Sequence, residues 1–288
     1  MPPRPQVTAF FDQVTSSVSY IVADPDTRQC AIIDSVLDYD PAGGRTATRS
    51  VDKILAAVAA ENLTVAWILE THVHADHLSA AQILRQATGA KIGIGAHVIS
   101  VQQRFAELFN MQGAVKPAGG DFGHLFAEGE IFTIGNLRGE AWHTPGHTPA
   151  CLTYVIGDAA FVGDTLFMPD YGTARCDFPG GDATSLYRSI QRLLSLPDTT
   201  RVYVCHDYAP GGRAIAWETT VKAQREGNVH IKAGTSEADF VAMRTARDRT
   251  LALPALILPS VQVNIRAGAV PPADANGVSY LRIPIDRF

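Results

Sequence analysis

Within six residues, His72, His74, Asp76 and His77 bring three imidazoles and a carboxylate together in the stretch Thr71-His72-Val73-His74-Ala75-Asp76-His77. Imidazole and carboxylate suit first-row metals, so the stretch reads as a metal site. It follows Val65-Ala66-Trp67-Ile68-Leu69, whose length and β-branched, aromatic content predict a buried strand. Where that strand runs into its loop, His72 and His74 can point the same way, with Asp76 and His77 curling round as a second wall. Strand ends are where ligands collect in α/β sheets.

Three more strand ends each offer one group. In His143-Thr144-Pro145-Gly146-His147-Thr148 the Pro-Gly pair forces a turn that throws His147 out of the strand direction. Asp164 follows the strand pattern Ala159 to Val162, and His206 follows Arg201 to Cys205. A single histidine is usually structural and a single aspartate usually caps a turn. Together with the first cluster they make seven candidate donors, and two outcomes stay open. Seven groups can hold two metals with Asp164 bridging and a hydroxide between them, which is hydrolytic chemistry. Alternatively two histidines and one carboxylate occupy one face of a single metal and leave three positions free, as in non-haem Fe(II) oxygenases.

The elements that must position these groups alternate between strand and helix, so an α/β layered architecture is expected. Ser17 to Ala23 and Cys30 to Asp34 read as a hairpin about Asp24-Pro25-Asp26, and Asp34 could face the site but reads first as a turn residue. Asp38 to Thr48 reads as a loop. Arg49 to Asn62, Ser79 to Thr88 and Val98 to Asn110 carry helical apolar spacing, and Gly89 stops the second. Glu130 to Gly135 and Leu137 to Trp142 form a β pair about Gly135-Asn136, and Cys151 to Ile156 is the next strand. Asp182 to Leu196, Trp217 to Gly227 and Thr235 to Thr250 read as helices, and Val278 to Ile283 as a last strand. His124, in a glycine-rich region, reads as a surface or packing histidine.

The 288 residues are 46% hydrophobic and 18% charged, enough to bury a sizeable core. A net charge of -5 with no basic block argues against nucleic acid as a partner. Cys30, Cys151, Cys176 and Cys205 are scattered, which predicts reduced thiols and no disulfide framework. The N-terminus lacks the apolar core of a signal peptide, and no apolar run is long enough to cross a bilayer. One domain over 1–288 is expected, cytoplasmic, with an extended tail from about 217.

In order and spacing, H-x-H-x-D-H, T-P-G-H-T and G-D-T resemble the metallo-β-lactamase superfamily. The resemblance implies a four-layer αββα sandwich, two β-sheets face to face with helices outside each. Arg175-Cys176-Asp177-Phe178, the Leu186-Tyr187 helix and His206-Asp207-Tyr208 make the span from Ser17 to Tyr208 resemble the persulfide dioxygenases of that superfamily. That resemblance implies one Fe(II) per chain held by His74, His147 and Asp164, with His72, Asp76, His77 and His206 orienting the ligands and bound water. It implies O2 as co-substrate, and glutathione persulfide or a related small persulfide oxidised to sulfite and glutathione by a homo-oligomer. Arg175 is then expected to orient the site or the glutathione portion through its bidentate fork, or else to tie down a loop by pairing with Asp177. Tyr208 is expected to offer its hydroxyl to the bound substrate, and Arg225, with His230, to reach the glutathione carboxylates. Glyoxalase II enzymes share the histidines, so a binuclear zinc thioester hydrolase is the alternative.

Overall fold

Along Ser17–Ala23, Val18, Tyr20 and Val22 join one apolar cluster while Ile21 and Ala23 join another. Side chains of a strand point alternately to opposite faces, so a strand buried on both sides lies between two layers. The structure, a computed structural model, describes residues 4–287. Its first half contains β1 (Gln6–Asp12), β2 (Ser17–Ala23), β3 (Gln29–Ile33), β4 (Val36–Asp40), β5 (Arg45–Ala47) and α1 (Arg49–Ala60). Then come β6 (Thr64–Leu69), β7 (Leu78–Ser79), α2 (Ala81–Thr88), β8 (Lys91–Gly95), α3 (Val98–Leu108) and β9 (His124–Phe126). The second half opens with β10 (Glu130–Ile134), β11 (Leu137–His143), β12 (Leu152–Ile156), β13 (Ala159–Phe161) and α4 (Ala183–Leu193). It closes with β14 (Arg201–Tyr203), β15 (Glu218–Thr220), α5 (Val221–Gly227), α6 (Glu237–Asp248) and α7 (Ile257–Asn264).

One sheet runs β1-β2-β3-β6-β8-β9 and the other β10-β11-β12-β13-β14-β15. Their facing sides share a core that includes Val18, Tyr20, Ile33, Leu69, Phe132, Tyr154 and Phe161. The outer face of the first sheet is covered by α1, α2, α3 and α7, through Ile54, Leu84, Val101 and Val261. The outer face of the second is covered by α4, α5 and α6, through Leu186, Ile190, Val221 and Phe240. The result is the expected αββα sandwich. No described helix is long and apolar enough to cross a membrane. All four cysteines are free and buried, and burial pushes the Cys30 and Cys151 thiols up to about 12, which leaves them unreactive.

Three expectations change. The loop Asp38 to Thr48 is instead a short antiparallel pair, β4 and β5, joined around Gly43 and Gly44. The helix expected from Trp217 begins only at Val221, because Glu218–Thr220 pairs with β14 and Thr220 then caps α5 by accepting from the N–H of Ala223. Val278 to Ile283 forms no strand. The side chain of Gln262 takes both the N–H and the C=O of Arg282, so the backbone there bonds to an amide side chain and not to a neighbouring strand.

The inter-sheet core fixes how far apart the two sheets stand. Phe161 stacks on Tyr203 at 4.9 Å and meets Tyr20 edge-on at 5.4 Å. Phe161→Ala is expected to lower unfolding stability by about 3–5 kcal/mol. A urea midpoint unchanged from wild type would refute this.

Candidate metal centre

The loops that follow β6, β11, β13 and β14 converge at one end of the sandwich and bring seven donor groups together. His72, His147 and Asp164 lie within one cluster of ligand atoms, and His74, Asp76 and His77 within another. The His74 ring lies between those of His72 and His77, with centroids at 4.1 and 4.2 Å. Asp164 faces both sides. Its Oδ2 is 3.6 Å from His147 Nε2 and 3.9 Å from His72 Nε2, while its Oδ1 is 3.3 Å from His206 Nε2.

Each ring is held by one nitrogen. His72 Nδ1 bonds the Thr71 hydroxyl at 3.0 Å, and that hydroxyl donates to Asp34. His74 Nε2 donates to Asp34 Oδ1 at 3.0 Å, and His147 Nδ1 donates to the carbonyl of Arg175 at 2.8 Å. His77 Nδ1 faces Asp76 and Ser17, and His206 Nδ1 faces the carbonyl of Ser16. The opposite atoms, His72 Nε2, His74 Nδ1, His77 Nε2 and His206 Nε2, are buried with no protein partner, as is Asp164 Oδ1. Buried polar atoms are ordinarily bonded, so a ring of bare nitrogens around a carboxylate fits a divalent cation as the missing partner.

Electrostatics follow from this bonding. Desolvation alone would raise the Asp34 carboxyl, but the charge of His74 and the hydrogen bonds from His74 and Thr71 outweigh it and hold Asp34 below its ordinary range. Burial opposes charge on His72, reinforced by the neighbouring His74 and His147, and pushes its pKa well down. A neutral imidazole is the form that can give a lone pair to a metal.

Local sequence explains the placement. Asp34 adopts φ +50 at the end of β3, a conformation aspartate tolerates, and its carboxylate reaches across to the N–H of Thr71 at 2.7 Å. Asp34 is thus more than the turn residue expected of it. Ser17, at the start of β2, bridges to His206 and places its hydroxyl against Asp76 and His77. The role of Ser17 left no signal in the sequence, whereas Asp34, a polar residue closing the otherwise apolar Cys30-Ala31-Ile32-Ile33 run, was legible as a residue that could face the site. Gly146 precedes His147 at φ +143, and a Cβ there would meet the Leu186 backbone at 2.3–2.4 Å, so the turn lies directly on α4.

Asp76, His147, Asp164 and His206 line a cavity of about 480 Å³ together with Phe167, Tyr171, Phe178, Tyr208, Arg247 and Leu251. Tyr208 lies in this wall, its ring parallel to that of His206 and 4.6 Å from Tyr171. Arg175 also borders the cavity, but its guanidinium is bonded bidentately to Asp177 and donates to the carbonyl of Ala252. It ties the loop to the tail, and its backbone carbonyl is what orients His147. Arg225 is not at the cavity. It pairs with Asp198 and donates to the carbonyl of Leu194, holding α5 to the end of α4. His230 accepts from the N–H of Thr173 and braces the same loop from behind, so neither residue is placed to meet a substrate carboxylate. His124 pairs with Glu130 and does not line the cavity.

Residues 12–206 match the model of the Metallo-beta-lactamase superfamily, and the chain belongs to that superfamily. It is 57% identical to a protein of Burkholderia pseudomallei described as a "probable metallo-hydrolase", over 97% of this chain and 99% of the relative. It is 47% identical to "Glyoxylase B2" of Dictyostelium discoideum, over 98% of both chains. It is 52% identical to a "Beta-lactamase hydrolase-like protein" of Xylella fastidiosa, over 98% of this chain but spanning 65% of that protein's length. Among solved structures, ETHE1 from Myxococcus xanthus superposes with a TM-score of 0.74 at 31% identity, over 92% of this chain and 100% of that one.

These relatives overturn the expected persulfide dioxygenase activity. The human mitochondrial persulfide dioxygenase ETHE1 is 28% identical over 91% of this chain and 88% of its own, well below the relatives with hydrolase and glyoxylase names. The Arg175-Cys176-Asp177-Phe178 motif that suggested the oxidation serves here as a loop tie, with its guanidinium engaged by Asp177 and the tail.

Burial, then the charges of Arg244 and Arg247, push His230 down from 6.5 to about 4. The native ring stays neutral while the unfolded chain takes up a proton, so the stability it contributes is present above 6.5 and is lost as pH falls towards 4. His230→Asn, which retains an acceptor for Thr173, is expected to lose less stability than wild type between pH 6.5 and 4 in paired denaturant titrations. Equal losses would contradict this origin.

Proposed function

We propose that the protein is a hydrolase of small thioesters of the glyoxalase II type, acting with two zinc ions. The observation that carries this reading is the two-sided placement of Asp164, with one oxygen towards His72 and His147 and the other towards His206. One ion would be held by His72, His147 and Asp164, the other by Asp76, His77 and His206, with His74 between them and Asp164 shared. Such a pair supplies a hydroxide nucleophile at neutral pH and polarises a carbonyl.

The chain's own groups do the rest. The Tyr208 phenol, in the cavity wall beside His206, is protonated at neutral pH as phenols ordinarily are and can donate to the substrate. Phe167, Tyr171 and Phe178 offer apolar surface to the acyl group and sulfur and exclude water from them. Arg247, which also lines the cavity, adds positive charge suited to a carboxylate-bearing thiol such as glutathione. The names of the relatives at 47–57% identity support hydrolysis.

Turnover of a glutathione thioester by zinc-loaded protein, followed through release of the thiol, tests the reading. Release no faster than with the metal-stripped chain would refute it. His77→Ala is expected to lose roughly half the bound zinc by elemental analysis and at least about tenfold in turnover. A variant that keeps the wild-type zinc content would contradict the paired site.

A further inference from the structure

Asn264, at the C-terminal end of α7, reaches into the loop that carries His74, Asp76 and His77. Its Nδ2 donates to the backbone carbonyls of His74 and His77, both at 2.8 Å, and its Oδ1 accepts from the N–H of Ser79 at 2.7 Å. Both amide donors and the amide oxygen are used, and only the orientation with nitrogen towards the two carbonyls satisfies all three contacts. Asn264 is 4% exposed, so water cannot replace it at those backbone groups.

The helix that presents it is fixed independently. Ile257, Val261 and Val263 sit in the core outside the first sheet, and the buried Gln102 donates to the carbonyl of Ile265 at 2.7 Å. At Gly268, φ +84, a Cβ would meet the carbonyl of Ser79 at 2.7 Å, so the segment after α7 lies directly on the end of the metal loop. Asn264, α7 and Gly268 lie beyond residues 12–206, the span matched by the superfamily model, while the loop they hold lies within it.

We infer that Asn264 is a positioning residue of the metal centre. It clamps the turn from His74 to Ser79 so that His74, Asp76 and His77 keep the spacing metal binding needs, which makes the C-terminal segment a built part of the site. The inference rests on the proposed metal centre but not on thioester hydrolysis. Metal affinity therefore tests the one and turnover the other.

The experiment is Asn264→Leu, similar in shape and without hydrogen bonds, with Co(II) as the probe. Chelator competition on the full chain is expected to show at least about tenfold weaker Co(II) binding, with altered visible absorption bands of the bound ion. Asn264→Asp keeps the bond to Ser79 and removes both donors, and it is expected to show the same loss where the leucine variant does not fold. Gln262→Ala, which cuts bonds of the same helix to Leu258 and Arg282, is the control and is expected to keep wild-type affinity and spectrum. Wild-type affinity and spectrum in the folded Asn264 variants would overturn the inference. So would equal losses in Gln262→Ala, or a wild-type chain that binds no Co(II).

Discussion

Every imidazole of the donor cluster has one nitrogen bonded to the protein, and the site depends on that constraint. A histidine free at both nitrogens can rotate and take up protons on either side. One whose rear nitrogen is held by Asp34, Thr71, Ser16, Ser17 or the carbonyl of Arg175 points its other nitrogen forward in a fixed direction. His74 turns Nδ1 inward because Asp34 takes its Nε2, whereas His72, His77 and His206 turn Nε2 inward. These two ways of presenting a ring let neighbouring histidines on one loop address different points.

The rear partners lie mostly on the first sheet and its loops while His147, Asp164 and His206 follow strands of the second, so the centre exists only while the sheets stay in register. Thr71, in the first half, accepts through its carbonyl from the N–H of Leu152 in the second, and Tyr154 donates to the carbonyl of Glu70. On the other flank Val18 donates to the carbonyl of Cys205 and Asp207 to that of Ser16. The packing of Tyr20, Tyr154 and Phe161 between the sheets is therefore a condition of the chemistry as well as of stability.

The sequence made the candidate donors legible because four of them fall within six residues and the others each follow a strand pattern. The layered fold was legible for the same reason, from the alternation of period-two and helical spacing. What stayed hidden depends on pairing across the chain. Asp34 reaches Thr71, 37 positions later in sequence, only because β3 and β6 lie parallel. Arg175 and Arg225 suggested substrate contacts by residue type, yet local acids and carbonyls engage both. The partly apolar tail read as a strand at Val278 to Ile283, but the buried side chain of Gln262 takes its backbone at Arg282.

The central claim is that Asp164 stands between two groups of donors and is shared by two cations. Anomalous diffraction at the zinc edge from crystals of the purified protein measures this directly. Two peaks, one on each side of the Asp164 carboxylate, are the expected result. A single fully occupied peak beside His72 and His147, with nothing beside His77 and His206, would contradict the account.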